Sequence, residues 1–385
     1  MSDWIDDEAG FADLVARLAD VDIYGLDTEF HRERTYHARL ALLQLSWPGG
    51  VAVVDPVAVD VAPLAKVLRG PGLCVMHAAS QDLEILDRVC GTVPTRLFDT
   101  QVAAGFVGYS SVGLGGLVQG ELGIKLPKAD RLTDWLARPL AADAIEYAAS
   151  DVAHLHELYE HLIAKLEERG RRQWAEDECE VHRARAISAS PPERAWWKIK
   201  EARSLRGRAA AVAQVTAAWR ERKASDLDRP VRFLLSDLAL VSMAQRPPRD
   251  EDDLRRVRGL DEGKRKGSSA KELLSAVAEG VALDLEAVQV PPSDGVDRSR
   301  RAAASLVSSW AAQRARDLDI DAAILATRSD IETFLMDGRG RLAEGWRNDV
   351  VGEPIRALAA GEASLAVDEG GRLVLETRSG VPIVE

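Results

Sequence analysis

Residues 23–30 read Ile-Tyr-Gly-Leu-Asp-Thr-Glu-Phe, an apolar run that Asp27 and Glu29 interrupt near its end. The run has strand character. Successive strand residues point to opposite faces, so the two carboxylates share one face. Like charges on one face repel and are costly to desolvate unless something positive lies between them. A divalent metal is the usual positive group, and further ligands are then expected elsewhere in the chain.

Outward from this stretch the pattern is α/β. RLALLQLSW (39–47) and VAVVDP (51–56) read as strands joined by Pro48-Gly49-Gly50, a hairpin signal. Residues 59–69 read as a helix, GLCVMHA (72–78) as a buried strand, and 81–90, 98–106, 113–121 and 141–168 as helices. Asp82 lies where the strand at 72–78 gives way to a helix, a position at which α/β sheets present ligands. Asp151 lies inside the helix at 141–168, and Tyr147, four residues earlier, shares its face. Taken singly these signals have ordinary explanations: an exposed strand end, a helix cap or a surface hydrogen bond. Their combination in one α/β domain is more specific.

At 385 residues, two or three domains are expected. Hydrophobic content of 46% and charged content of 29% fit a water-soluble globular chain. No apolar run approaches the roughly 18–20 residues of a membrane span, and the acidic start MSDWIDDEAG is unlike a signal peptide. The three cysteines, Cys74, Cys90 and Cys179, are widely spaced, which points to a reducing, cytoplasmic location and away from disulfides or a zinc site. The net charge of −12 is unevenly spread. Residues 193–272 carry 20 Lys and Arg against 13 Asp and Glu, a net of +7 that leaves −19 for the remainder. Such asymmetry suits a polyanion-docking surface, although a solvated helical surface explains it equally well.

Ser188-Ala-Ser-Pro-Pro192 and Pro291-Pro292-Ser293-Asp294-Gly295 read as linkers, with helical blocks after each. The tail SLAVDEGGRLVLE alternates around Gly370-Gly371 and reads as a hairpin. The two helical blocks are of similar size, as divergent copies would be.

DTEFHRERTYHARLALLQL, HAASQDLEIL and YAASDVAHL resemble the three exonuclease motifs of the DEDD superfamily, in its tyrosine-bearing branch. LTDWLARPL (132–140) and DRPVRFLLSD (228–237), with ATRSDIE and GWRNDVVG further on, extend the resemblance to the ribonuclease D family with its HRDC domains. The Lys128-Ala129-Asp130-Arg131 segment departs from the family, which more often has Ser or Gln between the Lys and the Asp-Trp pair, and the tail hairpin has no family counterpart. The resemblance implies an α/β exonuclease domain with a ribonuclease H-like mixed sheet and flanking helices at 1–187. It implies an all-α HRDC domain at 196–285 and a second, divergent HRDC-like domain with the hairpin tail at 297–385. It further implies a 3′–5′ exoribonuclease releasing nucleoside 5′-monophosphates from RNA 3′ ends, tRNA precursors among them, with two Mg²⁺ or Mn²⁺ ions. Asp27 would bridge both ions, Glu29 and Asp151 would complete the site of the water-activating one, and Asp82 would hold the second. Tyr147 would orient the attacking water.

Further substrate contacts are expected from Phe30 (stacking on a terminal base), Arg34, His77, Lys128, Arg203 and Arg206 (phosphates), the last two with Arg208, Lys198 and Lys200 in the densest basic run. Core packing for Phe30 and a structural role for His77 are the competing readings, and Asp99 reads as a helix cap. Two rival functions remain at this stage: the same chemistry on DNA, and a non-catalytic nucleic-acid binder on an exonuclease scaffold.

Overall fold

The computed structural model describes residues 2–127, 133–188, 190–291 and 300–379. The chain divides into two compact units, one of residues 1–29, 41–187 and 293–385, the other of residues 30–40 and 188–292.

The first unit is built on a mixed sheet of six strands, β1 (Asp3–Ile5), β2 (Ile23–His31), β3 (Arg39–Trp47), β4 (Gly50–Val54), β5 (Leu73–Met76) and β6 (Leu97–Asp99), in the order β1-β4-β3-β2-β5-β6. β3 and β4 form the hairpin expected at Pro48-Gly49-Gly50, antiparallel with Trp47 opposite Gly50, and Gly49 takes the positive φ of 103° that its turn requires. β1 runs parallel to β4, and β2, β5 and β6 are mutually parallel neighbours. Residues 40–47 of β3 are all buried, as in a strand covered by helices on both faces. The helices of this part are α1 (Glu8–Leu18), α2 (Ala65–Leu68), α3 (Ser80–Cys90), α4 (Thr100–Gly105), α5 (Leu114–Leu122), α6 (Ala142–Ala153), α7 (Leu155–Glu168) and α8 (Arg172–Ala186).

Three helical readings differ from the sequence, and of the helix expected at 59–69 only a 3₁₀ turn (Ala62–Leu64) and the short α2 form. Residues 98–106 begin as β6, and Asp99 then caps α4 by accepting the amides of Gln101 and Val102. The helix expected at 141–168 is two helices that break at His154. The Ser46 hydroxyl donates to the Val152 carbonyl at 2.9 Å, an acceptor that a continuous helix would use for its own ladder.

The second unit is all-helical apart from its 30–40 segment. α9 (Gly207–Asp226) is its axis, with eleven residues buried, surrounded by α10 (Val231–Leu234), α11 (Asp237–Gln245), α12 (Glu251–Leu254) and α13 (Gly267–Ala282). α13 approaches α9 so closely that a Cβ on Gly280 would lie 2.7 Å from the Val212 Cα. Residues 30–40 pack with these helices: Tyr36 donates its hydroxyl to Glu221 at 2.8 Å, and Asp228 accepts the His37 amide at 3.0 Å.

The last stretch returns to the first unit as α14 (Arg301–Asp317), α15 (Ala322–Leu325), α16 (Arg328–Asp337), α17 (Gly345–Arg347) and α18 (Glu353–Ala360), followed by the antiparallel hairpin of β7 (Ala363–Val367) and β8 (Leu373–Thr377). It shares a core with the helices beneath the sheet. Trp346 stacks on Trp174, ring centroids 4.9 Å apart, and meets the Phe106 ring edge-on at 5.2 Å. Beside them the buried Glu178 is paired with Arg347 at 2.7 Å and Arg341 at 3.2 Å. Cys74, Cys90 and Cys179 are free and buried.

Candidate active site

Asp27 and Glu29 end the apolar stretch of β2, both half-buried on one face. Asp82 is in the first turn of α3 and is buried. The corner that delivers it is held by the Asp99 carboxylate, which accepts the Ala78 and Ala79 amides, both at 2.9 Å. Ala78 adopts a positive φ of 58° there. Tyr147 and Asp151 lie on one face of α6, and the Tyr147 hydroxyl donates to Asp151. The Thr28 hydroxyl, between the two acids of β2, donates to Asp82.

The four carboxylates perturb one another. Asp27 is pushed well above the usual carboxyl range, first by burial and then by Asp82, Asp151 and Glu29. Glu29 rises to about 8 through burial, then Asp151 and Asp82. Asp151 rises to about 7 and Asp82 to about 6, both through burial, although hydrogen bonds from Tyr147 and Thr28 act the other way. Tyr147 is itself raised, by burial and by the negative field of Asp151, Glu29 and Asp27. Positions far apart in the chain thus converge into one acidic centre.

All the donors are hard oxygen atoms, which suit Mg²⁺ or Mn²⁺. Among the described residues, no three His, Cys, Asp or Glu side chains already stand in an arrangement that holds a metal. Two of the four carboxylates are engaged by the Thr28 and Tyr147 hydroxyls, so a cation would draw them away from those bonds. The composition and electrostatics of the cluster fit a divalent cation.

The expected substrate contacts distribute differently. His77 is a supporting residue: its Nδ1 lies 2.9 Å from the Thr100 hydroxyl, which donates to the Met76 carbonyl, and burial lowers its pKa. Phe30 is half-buried and Arg34 exposed, and both group with the second unit. Arg206 donates to the Arg203 and Leu205 carbonyls, and Arg208 to that of Leu283, so much of this basic run braces its own backbone. Lys128 lies outside the described residues, as do the neighbouring departure from the family and the second linker after Pro291.

Sequence reading passed over a cavity of about 330 Å³ beside Tyr147, lined by Thr133, Asp134, Trp135, Pro139, Leu140 and Asp143 among others. Trp135 faces Tyr147, ring centroids 6.2 Å apart. The wall is held by Arg138, whose guanidinium grips Asp55 with two contacts of 2.5 Å and donates to the Ala41 carbonyl. The available signal was the polar and aromatic run LTDWLARPL, which had a place in the family pattern but no assigned role.

The 3′–5′ exonuclease family matches residues 2–167, and the HRDC domain matches residues 209–277. Ribonuclease D of Gluconacetobacter diazotrophicus is 37% identical over 92% of this chain and 92% of its own. Ribonuclease D of Nitrobacter hamburgensis is 33% identical over 98% of this chain and 100% of its own. The crystal structure of Escherichia coli RNase D superposes with a TM-score of 0.84 at 32% identity, covering 94% of this chain and 99% of that one. With the exonuclease sheet and the helical domain both in place, the chain belongs to the ribonuclease D family and is a 3′–5′ exoribonuclease.

Proposed function

We propose that the acidic centre of Asp27, Glu29, Asp82 and Asp151, with Tyr147, hydrolyses the terminal phosphodiester of an RNA 3′ end. The products are a nucleoside 5′-monophosphate and an RNA shortened by one residue. The observation that carries this reading is the convergence of four carboxylates from β2, α3 and α6, close enough that Asp82 and Asp151 both raise Asp27 and Glu29. Such a cluster is unfavourable at neutral pH without positive charge and is the ligand set that two Mg²⁺ or Mn²⁺ ions require. When bound, such a pair lowers the pKa of a water and neutralises the phosphate and the departing alkoxide.

The protein's own groups do the rest. Asp27, Glu29 and Asp151 would set the anionic face that holds the ions, and Asp82 would close it from α3. The Tyr147 hydroxyl is a poor base, burial and the nearby acids raising it further, and its role is to orient the attacking water from the α6 side. Water attacks phosphorus, the bond to the preceding ribose 3′-oxygen breaks, and that oxygen is protonated. The cavity beside Trp135 offers an aromatic wall for the terminal base. Exposed basic side chains of the second unit, such as Lys198 and Lys200, are available for phosphates. The Escherichia coli enzyme is described as an exoribonuclease involved in structured RNA processing, and tRNA precursors and similar structured RNAs are the substrates proposed here.

A time course on RNA labelled at its 3′ or its 5′ end, with and without chelator, tests polarity, products and metal dependence together. Release of 5′-monophosphates from the 3′ end that stops on chelation is the expected result. Undiminished hydrolysis in chelator would refute the metal centre. A matched DNA strand in the same assay reports the sugar preference, which rests on contacts to the 2′-hydroxyl.

A further inference from the structure

Gln44 is fully buried in β3, and neither its Nε2 nor its Oε1 has a hydrogen-bonding partner among the described residues. Burying an amide with both ends unsatisfied is costly, and few native side chains are left so. Its place explains why it is kept. β2 and β3 are neighbours joined by residues 32–38 only. That connection is too short for a parallel crossover, so the strands run antiparallel. A Cβ on Gly25 would collide with the Ser46 hydroxyl, which sets these two side by side. With period-two alternation, the next pair along the same face is Asp27 and Gln44.

The helix above supports this placement. Ser46 bonds the Val152 carbonyl, and Leu42 and Val53 pack with Ala148. Gln44 lies between Leu42 and Ser46 on β3 and directly opposite Val53 on β4. It therefore sits under the turn of α6 that carries Asp151.

We infer that Gln44 is a positioning residue of the acidic centre, its amide donating to the Asp27 carboxylate, or to a water beside it, once the centre is charged with cations. The donor fixes one oxygen of Asp27 and leaves the other to the ions, and Oε1 is free to accept from water in the same layer. The inference rests on the reading of the four acids as the hydrolytic centre.

The test uses the full chain and the variant Gln44→Met, which keeps volume and removes both polar ends. Four measurements are made: RNA hydrolysis, Tm in chelator, the Tm rise on adding Mn²⁺, and an Asp27→Asn control. Expected are a Tm in chelator equal to or above wild type, a smaller Mn²⁺-induced rise, and a kcat about 10- to 100-fold lower, the scale of one hydrogen bond to a charged group. Wild-type kcat and Mn²⁺ response in Gln44→Met, with Asp27→Asn inactive, would overturn the inference alone. Equal activity of wild type and Asp27→Asn would instead bring down the reading of the centre. Should Gln44→Met fail to fold, Gln44→Glu serves. Its fifth carboxylate should lower the Tm in chelator and enlarge the Mn²⁺-induced rise, and a wild-type response to Mn²⁺ would count against Gln44 facing the centre.

Discussion

Asp27 and Asp151 stand 124 positions apart, yet Asp151 raises the proton affinity of both Asp27 and Glu29. Asp27→Asn should therefore do two opposite things. Hydrolysis falls by roughly 10³-fold, the scale of losing a preorganised electrostatic group, while the metal-free protein gains stability because the cost of burying an ionisable carboxyl among other acids is gone. Thermal melts in chelator beside single-turnover assays check both, and a destabilised, inactive variant would mean misfolding instead. The pH dependence follows from the same groups. Glu29, Asp151 and Asp82 bind protons in the folded state up to about 8, 7 and 6, whereas the unfolded chain releases them near pH 4. Between these limits the folded state holds more protons, so its stability falls as pH rises. The metal-free Tm is expected to drop from about pH 5 to about pH 8, and saturating Mg²⁺ should flatten the slope; a metal-free Tm that climbs over this range would contradict the clustering. Tyr147→Phe should lower kcat with little change in KM, because the hydroxyl acts on water and not on RNA.

At the scale of elements, spacing made much of the site legible. The alternation in β2 put Asp27 and Glu29 on one face, and the four-residue interval in α6 paired Tyr147 with Asp151. Contacts between elements distant in sequence were not legible. Nothing local says that Ser46 will take the Val152 carbonyl and split one helix into two, or that Thr28 will reach Asp82. The Arg138–Asp55 pair is another example, its carboxylate side chain only 6% exposed. Burial pushes the Asp55 carboxyl up, and the Arg138 hydrogen bonds more than reverse this, holding it below the usual range. Removing one partner of a mostly buried pair costs about 3 kcal/mol or more. Arg138→Ala is thus expected to lower the denaturant midpoint and to loosen the Trp135 wall, read as a higher KM for RNA. Unchanged stability would show that solvent already screens the pair.

On the scale of the whole molecule, composition foretold several parts but not which of them share a core. The last helical block buries Val307, Trp310, Phe334 and Trp346 together with Phe106 and Leu162. A chain ending before Arg300 should expose that apolar surface and be recovered as aggregate. Trp346→Ala should cost about 3–5 kcal/mol, measured by chemical denaturation; a fully stable Trp346→Ala would mean that the stack on Trp174 contributes nothing. The cysteines have a practical consequence. All three lie inside the first unit, and burial raises every thiol, that of Cys90 to about 12. A folded molecule should be nearly inert to maleimide and become reactive only as its interior opens. Timed alkylation of the unaltered chain would then act as a built-in clock for that opening, and one engineered surface thiol would accept a fluorophore without first stripping out the native ones.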